Sequence, residues 1–251
     1  MKYTKAPVSE VIIGITFQNA AFSLDQIFKV QNELASSFPN TEIRPPLADE
    51  SLVENRLSIE LDPKNAGPFL LRMRTQDRKW LYQIQRNKIY VNWIRSDIEA
   101  VGNYVGFSRV FQKFQALCKA IGIDLKKLTA NFAVKHFDVT YHDRIEWQNF
   151  AESISELSSI VHFGLPKINV PVGFNNVFSK YTYQLPNLGG YGLLTINTDT
   201  SQENTQLLKI KNITQGFLPD ISFQEWAERA NAIQVEYFED LFTQETLSKW
   251  K

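Results

Sequence analysis

The apolar residues of this chain obey two different periods, and the two periods follow one another twice in the same order. A β-branched run comes first, then a stripe at spacings of three and four, then several short alternating runs, then a second helical stripe. In the first half Val8 to Phe17 reads as a strand. Leu24, Ile27, Phe28, Val30, Leu34 and Phe38 then form the stripe of a helix over Leu24 to Phe38, which Ser23 or Asp25 can cap and Pro39 stops. Beyond a loop with Pro45-Pro46, four runs read as strands: Val53 to Leu61, Phe69 to Thr75, Lys79 to Arg86 and Ile89 to Ile94. Asn87-Lys88 is the polar turn of a hairpin between the last two. A helix from about Ser108 carries Val110, Phe111, Phe114, Leu117, Cys118 and Ile121, and Gly122 is placed to end it.

The second half repeats the plan. Phe132 to Tyr141 reads as a strand, and Trp147 to Val161 carries Phe150, Ile154, Leu157, Ile160 and Val161 at helical spacing. Strands over Lys180 to Leu185, Gly192 to Asn197 and Gln206 to Lys211 follow, with Asn187-Leu188-Gly189-Gly190 as a turn. A last helix begins at Ser222, whose Ser-x-x-Glu spacing to Glu225 is that of a capping box. The reading is an α+β protein of two similar lobes, 1–126 (β-α-β4-α) and 127–251 (β-α-β3-α). Together they form a curved antiparallel sheet with helices on one face. That order of elements resembles the TATA-binding-protein-like fold, and it leaves the second sheet face polar or free for a partner.

Composition narrows the function classes. Of 251 residues 43% are hydrophobic and 13% aromatic, with 27 Lys+Arg against 27 Asp+Glu, so neither a disordered chain nor a wholesale polyanion binder is indicated. No apolar run approaches the ~20 residues that span a bilayer, and the opening residues lack a signal-peptide pattern, so a cytoplasmic protein without membrane contact is expected. The single cysteine, Cys118, excludes an internal disulfide and sits in a core stripe. With only His136, His142 and His162 in the chain, no metal site and no cofactor are expected.

Three stretches carry a resemblance. Tyr3-Thr4-Lys5-Ala6-Pro7-Val8-Ser9-Glu10-Val11-Ile12 opens the chain, Val139-Thr140-Tyr141-His142-Asp143-Arg144-Ile145 lies in the middle, and Trp226, Ala227, Ala230, Phe238, Glu239, Leu241, Thr243, Glu245 and Trp250 mark the tail. In this order they resemble a sporadically distributed prokaryotic family of proteins of similar length. The chain departs from that family's usual pattern at Thr140, where Arg is common, and at Asn231, where His is common. The resemblance implies no particular reaction; it implies genes of the kind carried in defence or toxin-antitoxin islands.

Four constellations could carry chemistry. The best for catalysis is His136-Phe137-Asp138, followed by His142-Asp143-Arg144: His136 and Asp138 are two apart on a strand and so share a face, as a base oriented by a carboxylate would require. No Gly-x-Ser-x-Gly elbow or activated thiol accompanies them, which makes a hydrolase or nuclease an alternative and not the leading reading. Asn187 to Gly192 has strand-like sequence on both sides and reads as a hairpin turn, not a phosphate loop. Arg72, Arg74, Arg78, Lys79, Trp80, Tyr82, Arg86, Lys88, Tyr90 and Trp93 interleave cations with aromatics, as a nucleic-acid surface would. Alternation puts Trp80, Tyr82, Ile84 and Arg86 on one side and Lys79, Leu81, Gln83 and Gln85 on the other, so the two sets do not segregate. Arg72, Arg74, Trp80, Tyr82, Tyr90, Trp93, Tyr181 and Tyr183 are therefore expected to serve a non-catalytic recognition module, with a partner protein ahead of nucleic acid.

Overall fold

The computed structural model describes residues 5–53, 56–95, 104–150, 157, 160–161, 177–200 and 205–251. Along them run β1 (Val8–Phe17), α1 (Leu24–Leu34), β2 (Asn40–Arg44), β3 (Asp49–Val53), β4 (Arg56–Glu60), α2 (Pro63–Ala66), β5 (Leu70–Arg74), β6 (Trp80–Gln85) and β7 (Lys88–Ile94). The chain continues through α3 (Phe107–Ala120), α4 (Leu128–Asn131), β8 (Val134–Glu146), β9 (Phe178–Leu185), β10 (Gly190–Thr200), β11 (Gln206–Gly216), α5 (Phe223–Leu241) and α6 (Gln244–Ser248). Nine of these strands form one antiparallel sheet in the order β2-β5-β6-β7-β1-β8-β11-β10-β9, while β3 and β4 pair only with each other. The protein is thus mixed α+β, a large antiparallel sheet with few helices.

The sheet is organised about β1. Ile13 lies between Val91 of β7 and Val139 of β8, and Ile15 between Ile89 and Phe137, so one face presents continuous buried apolar rows. α3 packs on β1 and β7 and α5 on β8 and β11. The α3 stripe of Val110, Phe111, Phe114, Leu117 and Cys118 is buried there, as are Phe223, Trp226, Ala227 and Ala230 of α5. The two helices meet through Phe223, whose ring centroid is 5.0 Å from Phe114 and 4.7 Å from Phe137 beneath it. Burial pushes the Cys118 thiol well above its ordinary range, as a small core residue requires.

Local signals set most element ends. Ser23 caps α1 in a reciprocal box with Gln26, and Ser222 Oγ accepts the Glu225 amide at the start of α5. The Glu225 carboxylate turns instead to Arg229, 2.6 Å away, one turn along the helix. α3 ends before Gly122, which adopts a positive φ of 86°.

Several boundaries differ from the expected ones. α1 stops at Leu34, short of Phe38. Phe38 lies beyond the helix and stacks on Tyr82 at 4.1 Å. Asn40–Arg44, expected as loop, is the edge strand β2; with one apolar residue in five it carries no alternation to read. Of the run Val53 to Leu61, expected as one strand, Val53 ends β3 and Arg56–Glu60 forms β4, which pair with each other outside the main sheet, while 54–55 lie outside the described residues. β8 continues past Tyr141 to Glu146. Trp147–Asn149 forms one turn of 3-10 helix where a helix over Trp147 to Val161 was expected, and 151–156 and 158–159 lie outside the described residues. The sheet face opposite the helices is not left entirely free, because the hairpin lies against it: Gln85 exchanges two hydrogen bonds with the Leu47 backbone and Gln215 donates to Glu50 O at 2.8 Å.

Candidate functional site

His136 and Asp138 do share one face, as their spacing requires, and His136 Nε2 is 3.4 Å from Asp138 Oδ2. Asp138 also accepts from the Tyr90 hydroxyl at 3.3 Å, and that hydroxyl lies 2.9 Å from Thr16 Oγ1. Room for Tyr90 comes from Gly14 on the neighbouring strand, where a Cβ would stand 1.9 Å from the Tyr90 ring. The hairpin seals this end of the face. Lys88 Nζ, almost wholly buried, donates to Ala48 O at 2.5 Å and pairs with Asp49 at 2.7 Å, while Lys135 reaches the other Asp49 oxygen at 2.8 Å. Although burial opposes it, these lysines hold the Asp49 carboxyl below its ordinary value. His136, Asp138, Tyr90 and Thr16 are thus internal and mutually paired under a clamped hairpin. Among the described residues no group of three His, Cys, Asp or Glu could hold a metal ion, and His162 lies outside them.

The aromatic and cationic residues expected at a recognition surface are not brought together. Trp80, Tyr82 and Trp93 face the helices and are buried: Lys113 lies over Trp80, Tyr82 donates to Lys113 O at 3.1 Å, and Trp93 packs on Tyr104 at 5.2 Å. Their contact area is spent within the protein's own core. Tyr90 is on the opposite face in the cluster above. Arg72 and Arg74 lie on that face near the sheet edge, 3.5 and 3.9 Å from Glu42 of β2. On β9, Tyr183 donates to Asn212 Oδ1 at 2.7 Å and packs on Tyr237 of α5, while Tyr181 is 41% exposed.

A cavity of about 440 Å³ lies on the helix side, between the start of α3 and the later turns of α5. Its floor is Tyr141 and Asp143 of β8, Leu194 of β10 and Ile210 and Asn212 of β11; Tyr104 to Ser108 form one wall, Asn231 to Leu241 of α5 another, and Ala6 and Val8 close the side. The lining is largely apolar, with a few polar groups converging. Tyr141 donates to Asn231 Oδ1 at 2.6 Å, so the Tyr104 hydroxyl, 3.0 Å from that of Tyr141, is the donor in their own bond. Burial pushes both phenols well above their ordinary range. Gln234 directs its amide nitrogen at Val139 O, Asn212 O and Thr214 Oγ1, at 3.1, 3.2 and 2.8 Å.

Two residues of this lining carry a buried oxygen with no hydrogen-bond partner among the described residues: Gln234 at Oε1 and Asp143 at Oδ1. Asp143 is the unusual one. It is only 5% exposed, and burial pushes its carboxyl up to about 7 against the opposing pull of the Arg95 guanidinium. A buried carboxylate with an orphaned oxygen costs stability, so its presence in a cavity wall marks a site with a use other than packing.

Sequence reasoning named Asp143 in a strand-end motif and in the run His142-Asp143-Arg144 that follows His136 and Asp138, but gave it no role of its own. The signal that places it is the row Phe137, Val139, Tyr141, Asp143, Ile145, in which the inward alternation runs on past Tyr141 and one carboxylate stands among apolar residues. The three stretches singled out by resemblance also converge here, since Ala6 and Val8, Tyr141 and Asp143, and Phe238 and Leu241 all line the cavity, with Asn231 beside Tyr141. No family model and no curated protein matches the chain. Among the described residues no helix is long and apolar enough to cross a membrane.

Proposed function

We propose that this is a non-catalytic binding protein whose ligand is a small organic molecule held in the cavity between α5 and the sheet. One observation carries the reading: a nine-tenths buried carboxylate with an unpartnered oxygen lines an apolar cavity of about 440 Å³, within the size range of small-molecule sites. His136 and Asp138 have no part in it, because they lie on the other sheet face under the hairpin.

The test uses N-phenyl-1-naphthylamine, a neutral apolar dye whose fluorescence rises in a dry site. The full chain is expected to bind it saturably at one site per chain. Val235→Trp, which places an indole at a half-exposed cavity-lining position of α5, is expected to weaken that binding at least tenfold while leaving the fold intact by circular dichroism. Absence of saturable binding, or binding indifferent to Val235→Trp in a folded protein, would remove the reading.

We read the sheet itself as two lobes, 1–126 and 127–251, in the TATA-binding-protein-like order. The strand order supports this: β7, β6 and β5 follow outward from β1, β11, β10 and β9 follow outward from β8, and α3 and α5 each pack on the inner pair of their side. Recognition of a partner protein, in the defence or toxin-antitoxin setting the resemblance implies, is kept as a second reading. Phe178 and Tyr181 favour it, being 70% and 41% exposed on β9, the outermost described strand of the second lobe. Loss of a pulled-down partner from the native host on Tyr181→Ala with Phe178→Ala, but not on Trp80→Phe, would support it; retention of that partner would end it.

A further inference from the structure

Two residues of the lining, Asp143 and Gln234, each carry a buried oxygen without a partner among the described residues, Oδ1 and Oε1, and both are hydrogen-bond acceptors. Three donors of the lining are turned elsewhere: Tyr104 to Tyr141, Tyr141 to Asn231, and the Gln234 amide nitrogen to Val139, Asn212 and Thr214. An N–H group of an occupant can complete Asp143 where these donors do not. We propose, resting on the cavity's being a ligand site, that the occupant is a protonated amine with an apolar body, its ammonium against Asp143 and its hydrocarbon along Val8, Val105, Ile210, Phe238 and Leu241.

One feature of the cavity pulls the other way. α3 begins in its wall at Phe107 and Ser108, and its N-cap, Gly106, offers no side-chain acceptor, so the first-turn amides favour negative charge there. A helix start carries roughly half a unit of positive charge, whereas an ionised Asp143 carries a full negative unit in the same low-dielectric space. An anion would gain the weaker partner and meet the repulsion of the stronger group. The balance favours a cation.

Proton linkage follows from the surroundings of Asp143. Arg95 lies beyond the end of β7, Tyr104 stands ahead of α3 and Tyr141 beside it on β8; α5 presents Asn231, Gln234 and Tyr237, and β1 and β11 present Val8 and Ile210. Arg95 is the charged group among them, and its pull does not outweigh burial, so Asp143 takes a proton near neutrality and must release it to pair with an ammonium. The amine itself stays protonated throughout, as a lysine does. Affinity for it therefore rises with pH, by about tenfold between pH 6 and pH 8 for a carboxyl titrating at about 7.

The experiment is calorimetric titration of the full chain with octylamine, octanol and octanoate, which share a tail and differ in head group. At pH 8 octylamine is expected to bind at least tenfold more tightly than octanoate, with octanol between, and its affinity is expected to climb about tenfold from pH 6. In Asp143→Asn the octylamine-to-octanol ratio is expected to fall to about one and the pH dependence to vanish. Octanoate binding as well as octylamine, a flat pH profile in the native chain, or an unchanged ratio in folded Asp143→Asn would each overturn the amine assignment. Failure of the neutral naphthylamine dye to bind would instead overturn the cavity as a ligand site, and the amine assignment with it.

Discussion

The Tyr141 hydroxyl donates to Asn231 Oδ1 at 2.6 Å, tying the middle of β8 to α5 at the cavity wall, and it accepts in turn from Tyr104. The order of donation makes the three residues unequal. Tyr141→Phe strips Asn231 of a donor and Tyr104 of an acceptor, and is expected to cost about 1–2 kcal/mol in urea denaturation. Tyr104→Phe leaves the Tyr141–Asn231 bond whole and is expected to cost less, about 0.5–1 kcal/mol. Equal losses would show that the chain of hydroxyls runs differently.

Asp143 is expected to lower stability where it is ionised. Its folded-state value of about 7 lies above that of an unfolded aspartate, so the folded form holds its proton more tightly, and stability falls as pH rises from roughly 4 to 7. Above that window the whole penalty is present. Asp143→Asn, which cannot ionise, is expected to be more stable than the native chain at pH 8 by about 2–4 kcal/mol, with the gain shrinking toward pH 4. Thermal melts across pH 4 to 8 check this, and a gain of the same size at both ends would contradict it.

Gly14 and Tyr90 should behave as a coupled pair. An alanine methyl at Gly14 collides with the Tyr90 ring and drives its hydroxyl from Thr16 and Asp138, so Gly14→Ala is expected to cost about 2–4 kcal/mol. In a Tyr90→Ala background the same change is expected to cost less than about 1 kcal/mol, giving a coupling energy that a double-mutant cycle measures directly. Additive losses would mean that the ring is not what forbids a side chain there.

Lys88 is expected to act as the latch of the β3–β4 hairpin. Lys88→Met removes the donor to Ala48 O and one of the two lysines on Asp49, for a cost of about 2–3 kcal/mol, below that of a fully orphaned buried charge because Lys135 remains. Hydrogen exchange should quicken in the hairpin amides while those of β1 and β8 change little. The carboxyl of Asp49 is held below its ordinary value, so the stabilisation it brings is present above about pH 4 and is lost as pH falls through its folded-state value. Uniform acceleration of exchange across the sheet would show that the hairpin is no separate unit.

Much of the fold was legible because its determinants are local. The β1 run, the two long helical stripes, the Ser23 and Ser222 caps and the Gly122 stop each depend on residues within a turn or two of one another. β2 was not legible, since a short, wet edge strand carries no apolar period, and the hairpin was missed because β3 has two apolar residues in five, of which only Val53 fell within the expected run Val53 to Leu61. The pairing of His136 with Asp138 followed from spacing, yet spacing says nothing of the hairpin that covers them. The cavity was missed because its walls come from positions as far apart as Ala6, Asp143 and Leu241.

Taken alone, the amino-acid order determined which side chains share a strand face or a helix stripe, because those periods are properties of the backbone. Which of the two faces meets the helices was settled only by tertiary contacts. Trp80, Tyr82 and Trp93 are core residues because α3 and Phe38 lie over them, and Gln215 holds a backbone 165 positions away. The same is true of Asp143: its place on an inward row is written in the alternation, but an unpaired oxygen arises only where the helices leave the sheet uncovered, and no local pattern records that space.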